Sequence, residues 1–140
     1  MLISQTPYRL SLFGGGSDTR ESLAASGNKV LNVAMNKYSH CLVRVLPKFF
    51  ESQHWLIYSK VEDLNTLEES EHPVIRNILK YMKIKNPGGL EIIHTGDLPS
   101  RSGVGSSSSF TVGLLNALTK LLKDKNLDNQ NLAYSAIEIE

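Results

Sequence analysis

Cysteine is nearly absent from this sequence. Cys41 stands alone in 140 residues, so no internal disulfide can form and nothing points to an oxidising compartment. Long apolar runs are missing too: no uncharged stretch approaches the roughly 18–20 residues of a membrane span. The N-terminus, Met1-Leu2-Ile3-Ser4-Gln5, lacks the basic start and long apolar stretch of a secretory signal. These absences predict a cytoplasmic location. Neither charge is in excess, since 15 basic and 14 acidic side chains leave a net of +1. The broad electrostatic footprint of a general nucleic-acid binder is therefore excluded. Four histidines, His40, His54, His72 and His94, are scattered without metal-ligand spacing, which argues against a metalloenzyme built on His and Cys. What remains is an ordinary globular composition, 41% hydrophobic and 21% charged, in a length that suits one domain.

Strand signals come first. The opening thirteen residues read as extended, with Pro7 discouraging helix and Gly14-Gly15-Gly16 ending the run. Ser17 or Asp18 is placed to cap a short helix at about 19–25. Two further strands are expected at 30–35 and 39–46, and a shorter one at 54–58. Pro73 then suits a first helical turn, and Ile75, Ile78, Leu79 and Met82 recur at i, i+3, i+4 and i+7. A strand follows at 90–95. Beyond the loop 96–105, Phe110, Leu114, Leu118, Leu121 and Leu122 predict a long amphipathic helix to about Lys123. Asp128 is placed to cap a last helix carrying Leu132, Ala136 and Ile139 on one face. That pattern is still running at Glu140, which reads as a piece of a longer chain.

Two loops carry the chemistry. In the first, Pro99-Ser100-Arg101-Ser102-Gly103-Val104-Gly105-Ser106-Ser107-Ser108-Ser109 joins a strand to the long helix. Two glycines one residue apart allow close approach of a ligand to the backbone. The serines after them fall in the first helical turn, whose N–H groups lack intrahelical partners and whose dipole favours a polyphosphate. Their hydroxyls add oxygen donors of the kind Mg²⁺ prefers. The Walker pattern does not fit, because no lysine follows Gly105, and the dinucleotide fingerprint fails at Ser108. Alone, the stretch fits a flexible linker or a capped helix equally well. In the second loop, Arg9 precedes Gly14-Gly15-Gly16-Ser17-Asp18, setting a cation and a sugar-gripping carboxylate on either side of flexible backbone. By itself that is also what a sharp surface turn looks like.

Together the two loops resemble the GHMP small-molecule kinases, named for galactokinase, homoserine kinase, mevalonate kinase and phosphomevalonate kinase. The family's Pro-x-x-x-Gly-Leu-Gly-Ser-Ser-small motif stands here as Pro99 through Ser108, with Val104 for the leucine. The glycine triplet with Ser17-Asp18 is similar to the D-glycero-D-manno-heptose 7-phosphate kinase and fucose kinase branch. Galactokinases carry Glu and His at the positions of Gly15 and Gly16.

The resemblance implies an α+β fold like domain 2 of ribosomal protein S5, with helices on one face of a mixed sheet. It implies a single ATP-binding domain over 1–140, an N-terminal domain whose C-terminal partner domain is absent. ATP and Mg²⁺ are the implied cofactors. Pro99, Gly103, Val104, Gly105, Ser106, Ser107 and Ser108 would hold the nucleotide, with Ser107 a metal ligand and Ser108 helping to cap the helix. Arg9, Gly14, Gly15, Gly16, Ser17 and Asp18 would hold a sugar or sugar phosphate, and Arg9 would stabilise charge near the transferred group. The general-base aspartate is expected beyond residue 140. The implied activity is phosphoryl transfer from ATP to a sugar hydroxyl, with this fragment binding but not turning over. The alternatives are a non-catalytic nucleotide- or sugar-binding remnant and, less well matched by charge, an S5-like RNA-binding module.

Overall fold

The first strand, β1 (Leu2–Phe13), pairs antiparallel with β2 (Leu31–Val45) in a computed structural model that describes residues 1–15, 29–47, 49, 54–84, 88–100 and 102–140. The helix expected at 19–25 lies outside the described residues. The two strands expected at 30–35 and 39–46 are one continuous strand. Asn36 and Lys37, which interrupt the apolar pattern, do not make a turn. They fall at a register shift where Pro7 faces Tyr38 and Arg9 faces Ala34, so β2 spends two more residues there than β1.

β3 (His54–Ile57) and β4 (Val61–Leu64) form a tight antiparallel hairpin. β4 was not expected, because four residues with apolar ends carry too little pattern to read. Helix α1 (Pro73–Tyr81) leads to β5 (Leu90–Gly96), which enters the sheet between β2 and β3. The described strands run in the order β1-β2-β5-β3-β4, with β5 antiparallel to β2 and parallel to β3. Helices α2 (Ser106–Lys123) and α3 (Asn129–Ile139) complete the mixed α+β architecture that the sequence leads one to expect.

The core follows from register. Val43, Ile92 and Leu56 stand opposite one another on three adjacent strands, and all are buried. They share a cluster with Ile75 and Ile78 of α1 and with Phe110, Leu114 and Leu118 of α2, the stripes expected from periodicity. Each such side chain contributes about 1.5–3 kcal/mol when fully buried. Arg44 and Glu91, cross-strand neighbours on the alternate face, form an ion pair. Cys41 is wholly buried, and burial pushes its thiol up to about 12, so it is a core residue without nucleophilic character.

Helix α2 rides close to β1 because of Gly113. A Cβ there would stand 2.8 Å from Thr6 Oγ1 and 3.1 Å from Ser4 Oγ. At the far end, Asp128 caps α3 as expected, its Oδ1 accepting from Asn131 N at 2.8 Å.

Candidate active site

The register shift in β1 decides which side chains reach the serine loop. Before it, Ser4 and Thr6 face α2; after it, Arg9 and Ser11 do. The shift also leaves backbone groups available to hold the loop. Arg9 N donates to Val104 O at 3.0 Å, and Pro7 O accepts from Ser109 Oγ at 3.1 Å. Between them Tyr8 is buried, and a Cβ at Gly96 would collide with its hydroxyl. Desolvation raises the Tyr8 pKa, and the Asp97 carboxylate adds to the effect. Asp97 itself supports the base of the loop, accepting from Tyr38 N at 2.9 Å while its own N–H donates to Tyr38 O at 3.0 Å.

Gly103 and Gly105 both adopt left-handed backbone, at φ +74° and +72°. Gly103 faces open space, whereas a Cβ at Gly105 would lie 3.1 Å from Arg9 Cγ and 3.2 Å from Arg9 Nε. Glycine at 105 thus serves two ends: the turn into the helix, and room for the arginine beside it. Gly105 is the residue that caps α2, and no side chain caps this end. Ser108 does not cap it, contrary to expectation; its hydroxyl donates instead to Glu140 Oε2 at 3.0 Å. Uncapped N–H groups at a helix start are what an anion needs.

Arg9, Ser11, Gly14 and Gly15 face Gly103, Gly105, Ser106 and Ser107 across a single open cleft of about 700 Å³. Arg9 Nη1 donates to Ser11 Oγ at 2.8 Å, and Ser11 Oγ donates on to Asn32 Oδ1 at 2.6 Å. The Ser11 hydroxyl thus helps to orient the guanidinium beside the glycine turn. Of the residues expected here, Val104 contributes only its carbonyl, its side chain being buried. Pro99 is set back from the cleft, its carbonyl accepting from Ser102 Oγ at 2.8 Å. Gly16, Ser17 and Asp18 lie outside the described residues.

Three features escaped the sequence reading. Ser11 had no motif to mark it. Glu140 was read only as a position in a helical pattern still running, yet α3 returns its carboxylate to the start of α2, where it accepts from Ser108 and, at 3.3 Å, from Thr111 Oγ1. A carboxylate is favourable at the positive end of a helix dipole. The third is a hollow of about 240 Å³ behind the serines, sharing Ser106 and Ser107 with the cleft. Its aromatic wall is built from residues far apart in sequence. Phe110 lies 5.0 Å from the His72 ring and 4.4 Å from the His94 ring, and Tyr58 meets His72 edge-on at 4.9 Å. Burial lowers the pKa of both histidines, so they are neutral near pH 7, and His94 Nε2 lies 3.0 Å from Ser39 Oγ.

Comparison with known proteins bears directly on this arrangement. The family model described as GHMP kinases N terminal domain matches residues 71–140. D-glycero-alpha-D-manno-heptose 7-phosphate kinase of Campylobacter jejuni subsp. jejuni is 32% identical over 98% of this chain and 42% of its own length. A D-glycero-D-manno-heptose 1-phosphate kinase from Bacteriodes thetaiotaomicron superposes with a TM-score of 0.81 at 24% identity, over 99% of this chain and 48% of that one. A putative sugar kinase from Campylobacter jejuni gives 0.73 at 26% identity, over 99% and 44%. The chain thus spans a little under half the length of these relatives.

Proposed function

Since this chain belongs to the GHMP kinase family and has its S5-like N-terminal fold, we propose that it is the nucleotide-binding half of a sugar kinase. The preferred acceptor is a heptose 7-phosphate, and the reaction is transfer of the ATP γ-phosphoryl group to a sugar hydroxyl. One observation carries the reading: Arg9, Gly14 and Gly15 line the same cleft as Gly103, Gly105, Ser106 and Ser107. A glycine-lined cation and an uncapped helix start, brought together from opposite ends of the sequence, suit an acceptor and a polyphosphate meeting end to end.

In this reading the phosphates lie over the N–H groups of the first turn of α2, and the nucleoside enters the hollow beside Phe110, His72 and Tyr58. The acceptor sits on the Arg9 side. Its hydroxyl oxygen forms a bond to the γ-phosphorus as the bond from that phosphorus to the β,γ-bridging oxygen breaks, and ADP leaves carrying that oxygen. Arg9 stabilises charge on the transferred group, with Ser11 and Asn32 fixing its approach. Such catalysis rests on positioning and electrostatics. The hydroxyl proton goes to a general base that we place beyond residue 140. Gly16, Ser17 and Asp18 complete the acceptor side in the motif.

Mg²⁺ fits the donor chemistry at the start of α2. The hydroxyls of Ser106 and Ser107 line the cleft, and the Glu140 carboxylate reaches the start of the same helix at Ser108 and Thr111; all are hard oxygen donors. Ser107 and Glu140 would hold the ion, which supplies neutralisation of phosphate charge when bound. The lone buried cysteine fits the cytoplasm, where ATP and sugar phosphates are at hand.

The deciding experiment is an ATP titration with and without Mg²⁺, on the wild-type chain and on Ser107→Ala and Glu140→Gln. Mg²⁺-dependent binding weakened about tenfold by either substitution is expected, a loss of about 1.4 kcal/mol. Binding indifferent to Mg²⁺ and to both changes would remove the phosphate-site assignment.

A further inference from the structure

Helix α1 has a second stripe that the cleft does not use. Flanking the core-facing Ile75 and Ile78, Arg76, Leu79, Lys80 and, just past the helix, Lys83 recur at i, i+3, i+4 and i+7 and line a groove of about 510 Å³ against the 3-10 turn Leu67–Glu69. The floor is apolar, made by Leu67, Leu79 and Ile84, and the rim is basic, made by Arg76, Lys80 and Lys83. Among the described residues, Glu68 is the one acid that lines it. In a chain whose charges nearly cancel, three cations around an apolar floor are a local excess.

The end of α1 explains how the groove is built. Lys83 N donates to Lys80 O at 3.0 Å and Ile84 N to Leu79 O at 3.1 Å, the paired bonds of a Schellman turn, which folds Ile84 back onto Leu79. The residue that turns the chain is Lys83, at φ +54°. Glycine takes that conformation without strain, and lysine does not. The strained residue adds nothing to the turn but a cation on the rim.

We propose that this groove binds a small amphiphilic anion, an apolar body ending in a carboxylate or phosphate. The volume lies within the roughly 300–1,000 Å³ usual for small-molecule sites. Apolar groups cover Leu67, Leu79 and Ile84, and the anionic end meets Lys80, Lys83 and the side chain of Arg76, whose Nη1 is oriented by a 2.9 Å bond to Ser70 O. The site is separate from the phosphate cleft and does not depend on the kinase reading.

The test is an amide NMR titration of the ¹⁵N-labelled chain with decanoate and decyl phosphate, against decanol and decyltrimethylammonium. Saturable shifts confined to 67–69 and 76–84, given by the anions and not by the neutral or cationic probes, are expected. Lys80→Glu and Lys83→Gly should each weaken binding at least fivefold with the rest of the spectrum unchanged. Lys83→Gly relieves the strained turn, so its loss of binding cannot be put down to unfolding. Equal shifts with decanol would reduce the groove to apolar adhesion. Shifts centred on the cleft or on the exposed face of β1 would move the site elsewhere, and no saturable shift would remove it. Binding of an acidic Leu-Glu peptide but of neither anion would overturn the small-ligand assignment in favour of a protein partner.

Discussion

At the scale of single residues, the two loop glycines make a controlled comparison. Both have left-handed backbone, which costs an L-residue about 1–2 kcal/mol, but only Gly105 abuts Arg9. Gly103→Ala should therefore lower stability by about that amount and leave the arginine in place. Gly105→Ala should add displacement of Arg9 and cut nucleotide affinity at least tenfold; melting curves with ATP titrations on both variants check this. The histidines give a second prediction. Burial holds His54, His72 and His94 below the ordinary histidine range, so the native chain binds fewer protons than the unfolded one once pH falls through about 6.5. Stability should be full above that pH and decline toward pH 5, and His94→Gln should flatten the decline in urea midpoints. A midpoint that rose on acidification would contradict the assignment. The motif residues were legible because each has a fixed neighbour in sequence. Ser11, His72, His94 and Glu140 were not, because what defines them is a neighbour 16 to 38 residues away, brought in by strand order and helix return.

At the scale of elements, α1, α2 and α3 could be read from their 3.6-residue apolar period, and β5 from its apolar centre. β2 could not be read as one strand, since a polar bulge and a turn look alike until the partner strand is known. The same bulge reverses which side chains of β1 face α2, and without it Arg9 would not stand beside Gly105. The contact between α2 and β1 is testable at Gly113. Valine there would press on Thr6 and Ser4, and overpacking of this kind costs about 1–3 kcal/mol. The gain in helix propensity over glycine, a few tenths of a kcal/mol to about 1, does not offset it. Gly113→Val should lower the melting temperature and weaken ATP binding together, because the helix that shifts carries the serine turn. Loss of stability with ATP affinity intact would mean that the helix position does not govern the site.

At the scale of the whole molecule, the chain carries an open cleft and spans less than half the length of the relatives it resembles. Under the kinase reading the 140-residue chain should bind ATP with Mg²⁺ yet release no more ADP with heptose 7-phosphate than without it, in a coupled assay. Robust turnover would place the general base inside these residues. The strand order has a consequence for synthesis. β5 lies between β2 and β3 but leaves the ribosome after both. Until residues 90–96 emerge, the β1–β2 pair and the β3–β4 hairpin have nothing to join them, and each presents an open inner edge able to capture a wrong strand. A nascent chain stalled before residue 90 should be protease-sensitive and held by chaperones. One released past the end of α2 should be neither, because the late strand and its helix close the sheet in a single step.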